Sequence, residues 1–267
     1  MFVAIFSSLY STSALSSLEN IKQRGYIRVS TNAEFEPFEY KDGDKIVGID
    51  IDIAKKIAES LGVSTKINDV SFDAVTLELS SGSCDIAIAA MSYSNDKAVN
   101  VDFSDTYYFA KQAILVPKNS SITSGKDLHG KKIGVALGFT GDTYCTENFS
   151  DSEICRYNKS SDAVLDLVNG RVDAVVVDDA PAKKLVRLSG NKVEMLDEYL
   201  FEEGYRIAVP KGDNELLDYI NSMLKQLRDS KEIDKIVNKY IIEAGTPSLD
   251  LIGQIDNNLF CKNRSKM

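Results

Sequence analysis

Histidine is almost missing from this chain: there is one, His129, among 267 residues. A single imidazole leaves little room for His-ligated metal chemistry or a His-based catalytic triad. Its setting, GKDLHGKKIG, is a turn between a short helical stretch and a strand, which reads as a solvated loop. Cysteine is scarce too. Cys84, Cys145, Cys155 and Cys261 form no CxxC pair, which argues against zinc. Cys145 and Cys155 flank a polar loop and could meet as a disulfide in an oxidising compartment, whereas Cys84, ahead of an apolar strand, reads as a buried thiol. Positive charge is in deficit, with 31 Lys and Arg against 40 Asp and Glu and a net charge of -9. That balance excludes nucleic acid and anionic membrane surfaces as expected partners, because counterion release needs clustered Lys and Arg. Beyond the first stretch, no apolar run approaches the length needed to span a bilayer.

That first stretch, MFVAIFSSLYSTSALSS, is apolar and then rich in Ser and Thr, like the hydrophobic and cleavage regions of an export signal. No Lys or Arg precedes Lys22, so the charged leading region of such a signal is lacking. Residues 1–19 are expected to be an export signal or an N-terminal extension.

What is present is an α/β alternation. YIRVST reads as a strand, and IDIAKKIAESLG as a helix with Ile53, Ile57 and Leu61 at helical spacing and Gly62 as its stop. A strand VSTKINDV and a helix FDAVTLELSSG follow, the latter with Phe72, Val75 and Leu79 on one face. The phrase GSCDIAIAAM then has an echo in GRVDAVVVDDA: each follows a helix and reads Gly, two residues, Asp, apolar strand. Gly82 to Ala90 superposes on Gly170 to Asp178 without a gap, and ILVPKNS is echoed by IAVPKGD. These repeats point to two similar lobes, each with its own parallel sheet. YYFAKQAILVPK and FEEGYRIAVPK are the expected crossings between them, and the two C-terminal helical patterns are expected to return to the first lobe.

The stretch DAVVVDDAP poses a chemical question, because a buried strand ends there in Asp178 and Asp179. Charge at such a place is costly unless something pairs with it. Those carboxylates could be an acid catalyst, half of a metal site, a counter-charge for a cationic ligand, or, for Asp179, the cap of the next helix.

TNAEFEPFEYKDGDKIVGIDIDIAKKIA, SFDAVTLELSSGSCDIAIAAMSYSNDKAVNVDFSDTYY, KKIGVALGFTGDTY and DAVVVDDAP, in this order, resemble the polar amino-acid-binding proteins of ABC importers, the family 3 solute-binding proteins. The resemblance covers roughly residues 20 to 243. It implies a type II periplasmic-binding-protein fold: two α/β lobes joined by two crossing hinge strands that close over one amino acid. The expected division is lobe 1 from residues 20–110 and 204–267, and lobe 2 from residues 111–203. The implied setting is periplasmic or otherwise extracytoplasmic. The implied partners are a free amino acid and a membrane permease, with a monomeric protein and no cofactor.

A zwitterionic ligand in a desolvated cleft needs a carboxylate for its ammonium and a cation or N–H donors for its carboxylate. The resemblance assigns Asp179 to the ammonium, with Asp178 turned to the other side as a supporting or surface residue. It assigns the hydroxyl of Ser92 and the carbonyl of Ala90 to the ligand's α-groups. Lys97 stands where the family has a clamping arginine, keeping the charge but losing the planar fork. Thr140 and Gly141 match the helix start that binds the same carboxylate. Phe35 and Phe72 match aromatic walls around the ligand's side chain, Asn32 lies where its distal group is read, and Phe139 replaces a small or hydroxylated residue. Two other functions are weighed. A cyclohexadienyl dehydratase on the same fold would need a positioned general acid such as Asp178 or Glu34. A sensory module is disfavoured because no signalling segment follows.

Overall fold

The computed structural model describes residues 16–190 and 192–243. The expectation for an export signal falls almost wholly outside them, as does Cys261. The described chain opens with α1 (Ser17–Arg24), β1 (Tyr26–Thr31), β2 (Glu34–Phe35), β3 (Glu39–Asp42), β4 (Lys45–Val47), α2 (Ile49–Leu61), β5 (Ser64–Asp69), α3 (Phe72–Ser80), β6 (Ile86–Ala87) and α4 (Asn95–Ala98). The long strand β7 (Val101–Pro117) then leads to β8 (Lys132–Ala136), α5 (Thr140–Asn148), β9 (Glu153–Tyr157), α6 (Ser160–Val168), β10 (Ala174–Asp178) and α7 (Asp179–Leu188). A second long strand, β11 (Val193–Pro210), returns the chain to α8 (Asn214–Asp229) and α9 (Glu232–Glu243). Because α1 begins at Ser17 and buries Leu18, residues 17–19 belong to the packed structure.

The two expected sheets are joined into one. The order is β5-β1-β6-β11-β7-β10-β8-β9, so three parallel strands flank each side of a central antiparallel pair. β7 and β11 pair from Val193↔Pro117 to Pro210↔Val101, with several register shifts on the way. One end of that ribbon carries β6 through Ala208↔Ala87. The other carries β10 through Val175↔Leu115 to Asp178↔Gln112. The expected crossings were too short: these strands span both lobes and supply the centre of the sheet.

The buried apolar residues sort themselves along the ribbon. Those up to Ala110 and from Tyr205 onward form two clusters, and those from Ala113 to Val193 form two others. Leu216, Ile220, Leu224 and Leu227 make a helical stripe on α8 that packs, with Ile233, Ile236 and Val237 of α9, into the same cluster as α1 and α2. The C-terminal helices therefore share one core with α1 and α2. Two residues break the sorting, since Phe139 and Ala180, from the second lobe, pack against the first lobe's cluster.

The disulfide expectation is overturned. Cys145 and Cys155 are free. Cys145 sits in a cluster with Val135 and Phe149, while Cys155 packs against a different one containing Val175 and Leu167. Burial pushes the Cys145 thiol up to about 12, which makes it a core residue. Cys84 is buried as expected, its thiol also pushed up to about 12, chiefly by burial. His129 is exposed, its Nδ1 lying 2.8 Å from an oxygen of Asp151.

Candidate functional site

The internal echo has a hydrogen-bonding basis. Asp85 accepts the backbone N–H of Arg28, in β1, at 2.7 Å, and Asp173 accepts that of Lys132, which opens β8, at 2.8 Å. Each aspartate thereby pins its strand to the neighbouring parallel one, and Arg24 and Arg28 neutralise Asp85. The strands that follow run to equivalent ends, Ala90 in one lobe and Asp178 in the other. Ligands of open α/β sheets bind at the carboxyl ends of parallel strands.

At the first end the expected strand is cut short. β6 stops at Ala87, and Ala90 lies in the left-handed region with φ 46°. Such a conformation is strained for a residue with a Cβ. It is held by Asp50, fully buried on α2, whose Oδ2 accepts the Ala90 N–H at 2.7 Å and whose Oδ1 accepts the Tyr107 hydroxyl at 2.8 Å. Burial pushes the Asp50 carboxyl up to about 6, against the pull of those two donors and Glu39. Glu39, buried beside it, is raised well above the usual carboxylate range by burial and by Asp50. Two residues beyond Ala90, Ser92 bridges to Tyr205, and its buried hydroxyl has no hydrogen-bond partner among the described residues. A buried hydroxyl left unpaired is costly, and a polar ligand group would satisfy it.

At the second end Asp178 is buried, not on the lobe surface. Its Oδ1 accepts from Gln112 Nε2 at 2.7 Å, and the same nitrogen donates to Glu203 Oε1 at 2.6 Å. Glu203 Oε1 also accepts from the Thr140 hydroxyl at 2.7 Å. Burial and the adjacent Glu203 hold the Asp178 carboxyl well above its ordinary range, while Tyr205 pulls it down. The N-terminal end of α5 lies against this group. A Cβ on Gly141 would stand 3.0 Å from Gln112 Oε1 and 3.3 Å from Val176 Cγ1, so glycine lets the helix start this close to β10.

Asp179 is placed differently. It is the first residue of α7, and Asp178 occupies the cap position without a side-chain capping bond. Asp179 accepts from Lys183 Nζ at 2.9 Å and from the Lys111 backbone N–H at 3.3 Å. The residue that shares a cluster with Thr140 is thus Asp178, not Asp179. The ungapped echo that aligns Ala90 with Asp178 carried this signal, and alternation along an assumed longer strand obscured it. Gln112, Glu203, Tyr205 and Asp50 had no distinguishing sequence pattern.

The aromatic walls stand as follows. Phe35 is buried and Phe72 half-buried. Lys97 Nζ lies 4.8 Å from the Phe72 ring centroid, a cation–π distance, and burial lowers its pKa while Glu203 raises it. This lysine is not merely solvated. Phe139 contacts both walls, at 4.2 Å and 19° from Phe72 and at 5.3 Å from Phe35. Asn32 uses its amide donor on the Val70 carbonyl at 2.9 Å, which ties β1 to the turn before α3. Glu34 is exposed and pairs with Lys159 of the second lobe at 2.7 Å, while Glu36 pairs with Lys184. Among the described residues, no group of three or more His, Cys, Asp or Glu could hold a metal ion, and no helix is long and apolar enough to cross a membrane.

Two lobes sharing a central ribbon, with polar groups converging where their strands end, define a cleft protein that holds a small solute between domains. The family is more specific than the class. The chain belongs to the bacterial extracellular solute-binding proteins, family 3, whose model matches residues 27–243. It is 33% identical over 219 residues to the arginine-binding extracellular protein ArtP of Bacillus subtilis (strain 168), covering 79% of this chain and 84% of that one. The solved structure of an ancestral arginine-binding protein bound to glutamine is 42% identical with a TM-score of 0.75, covering 81% of this chain and 98% of that one. The ancestral amino acid-binding protein AncCDT-1, a precursor of cyclohexadienyl dehydratase, is 34% identical with a TM-score of 0.78, covering 85% and 100%. All three are binding proteins by name.

Proposed function

We propose that the protein captures a polar amino acid between its lobes and delivers it to an ABC permease outside the cytoplasm. Residues 20–110 with 204–267, of which 244–267 lie outside the described residues, form one lobe in this reading and residues 111–203 the other. The observation that carries it is the convergence of unlike groups at two equivalent strand ends. One end offers a fixed carbonyl at Ala90 and the unpaired hydroxyl of Ser92, and the other offers the buried carboxyl Asp178 beside Thr140 and the start of α5. The ligand's ammonium sits between the Ala90 carbonyl and Asp178, with Asp179 one residue away as a further source of negative potential. Its carboxylate takes the Thr140 hydroxyl, the Gly141 N–H and the Lys97 ammonium. Its side chain lies toward Phe35, Phe72 and Asn32. The names of the relatives support an amino acid as the solute class.

A dehydratase reading is favoured by one feature, because a buried carboxyl of raised pKa at Asp178 is the kind of group that serves as a general acid. Isothermal titration with the twenty amino acids and prephenate separates the two. Saturable binding of a polar amino acid, with prephenate unbound and unchanged, is the expected result. Turnover of prephenate with no amino-acid binding would overturn the proposal.

A further inference from the structure

Phe139 stands apart from the rest of its lobe. The turn before it is fixed by Gly138 in the left-handed region at φ 79° and by the Phe139 N–H donating to the Ala136 carbonyl at 3.2 Å. The Phe139 backbone is extended and caps α5 without a side-chain bond. The ring therefore leaves the second lobe's core, to which Val135 and Cys145 belong, and packs against the first lobe's cluster. There it meets Phe72 face to face and Phe35 at a tilt. Two rings in stacked contact have no space for a third flat group between them. In the proposed site, where the ligand's side chain lies toward Phe35 and Phe72, Phe139 thus takes a place beside Phe72 that a long side chain would need.

We propose that Phe139 is a specificity-determining residue that limits the site to amino acids with compact polar side chains, a conclusion that rests on the amino-acid-binding reading above. A ligand with a short side chain satisfies Ala90, Ser92, Asp178 and Thr140 without disturbing the ring. A long one must first break its contacts with Phe72 and Phe35. Stacked aromatic pairs resist separation beyond their buried area, and that resistance enters the affinity of long ligands alone.

The test measures dissociation constants for L-serine, L-asparagine, L-glutamine and L-arginine with the wild type, Phe139→Ser and Phe139→Leu, using titration calorimetry on proteins checked for fold by circular dichroism. The serine substitution removes the ring and the leucine keeps an apolar plug without stacking. The arginine-to-serine ratio of dissociation constants is expected to fall by about tenfold in Phe139→Ser and by less in Phe139→Leu. An arginine-to-serine ratio unchanged within about twofold, or raised, overturns the inference while leaving the function intact. Binding of none of the four by any of the three proteins overturns the inference, and titration with all twenty amino acids then decides the reading beneath it.

Discussion

The two strand ends that the proposed site brings together are built from one repeated unit and finish in opposite ways. In the first lobe, Gly82, Asp85 and the following strand lead to Ala90, a left-handed residue whose part in the proposed site is its backbone carbonyl. In the second, Gly170, Asp173 and the equivalent strand lead to a carboxyl, Asp178. The carboxylate on the first side is still there, but it has moved behind the backbone. Asp50 accepts the Ala90 N–H from its buried place on α2, so its carboxyl fixes the backbone. In the proposed site one lobe gives shape and the other gives charge, and a zwitterion needs both.

The largest effect should come from exchanging that charge. Asp178→Asn is expected to lose about 3–5 kcal/mol of amino-acid binding, the range for removing one partner of a buried pair. Asp179→Asn, whose carboxylate is already paired with Lys183, is expected to keep affinity within about tenfold. Calorimetric titration of both folded variants decides it, and the reverse ranking would return the counter-ion role to Asp179.

On the other side of the comparison, the charge that acts through backbone should appear in stability. The folded-state pKa of Asp50, raised to about 6 from 3.8, means that the folded protein holds this proton more tightly than the unfolded chain. Its contribution is fully present below 3.8 and is lost as pH rises through about 6. Compared with Asp50→Asn, the wild type should therefore gain on the order of 3 kcal/mol as pH falls from 7 to 4. Denaturant titrations at several pH values would show it, and parallel curves for the two proteins would contradict it.

A smaller effect concerns Lys97. Lys97→Ala is expected to weaken binding by about 1.5–3 kcal/mol, the value of one charge-assisted hydrogen bond. Lys97→Arg, able to form two parallel bonds, should bind at least as tightly. Full affinity in the alanine variant would mean that Thr140 and the helix start hold the ligand's carboxylate without help.

How much of this could be read beforehand varied with the range of the interactions involved. Helix α2, its stop at Gly62 and the stripe on α8 are local patterns and were legible. The ungapped repeat from Gly82 and from Gly170 placed both strands, although β6 ends at Ala87, short of Ala90. Pairing between β7 and β11 was not legible at full length, since residues such as Val101 and Pro210 meet across more than a hundred positions. The direction of Asp178 was misread because alternation was carried past the point where β10 gives way to α7. The reach of Phe139 depends on a turn geometry that one glycine permits but does not announce. The cysteines failed for the same reason in reverse: neighbours along the chain, Cys145 and Cys155 pack into separate clusters.

The shared ladder of β7 and β11 has a mechanical consequence. Two strands paired with each other from one lobe into the other bend together, so the hinge they form is one ribbon and not two separate links. Between Glu202↔Lys111 and Tyr205↔Tyr108 the register runs unbroken, and the shifts lie on either side, from Met195 to Glu202 and from Tyr205 to Ala208. Gly204, within the regular stretch, is so close to Thr106 that a Cβ would lie 2.5 Å from the hydroxyl oxygen. Rotation of one lobe against the other would therefore twist both strands together, and the register shifts on either side are where the ladder is already interrupted.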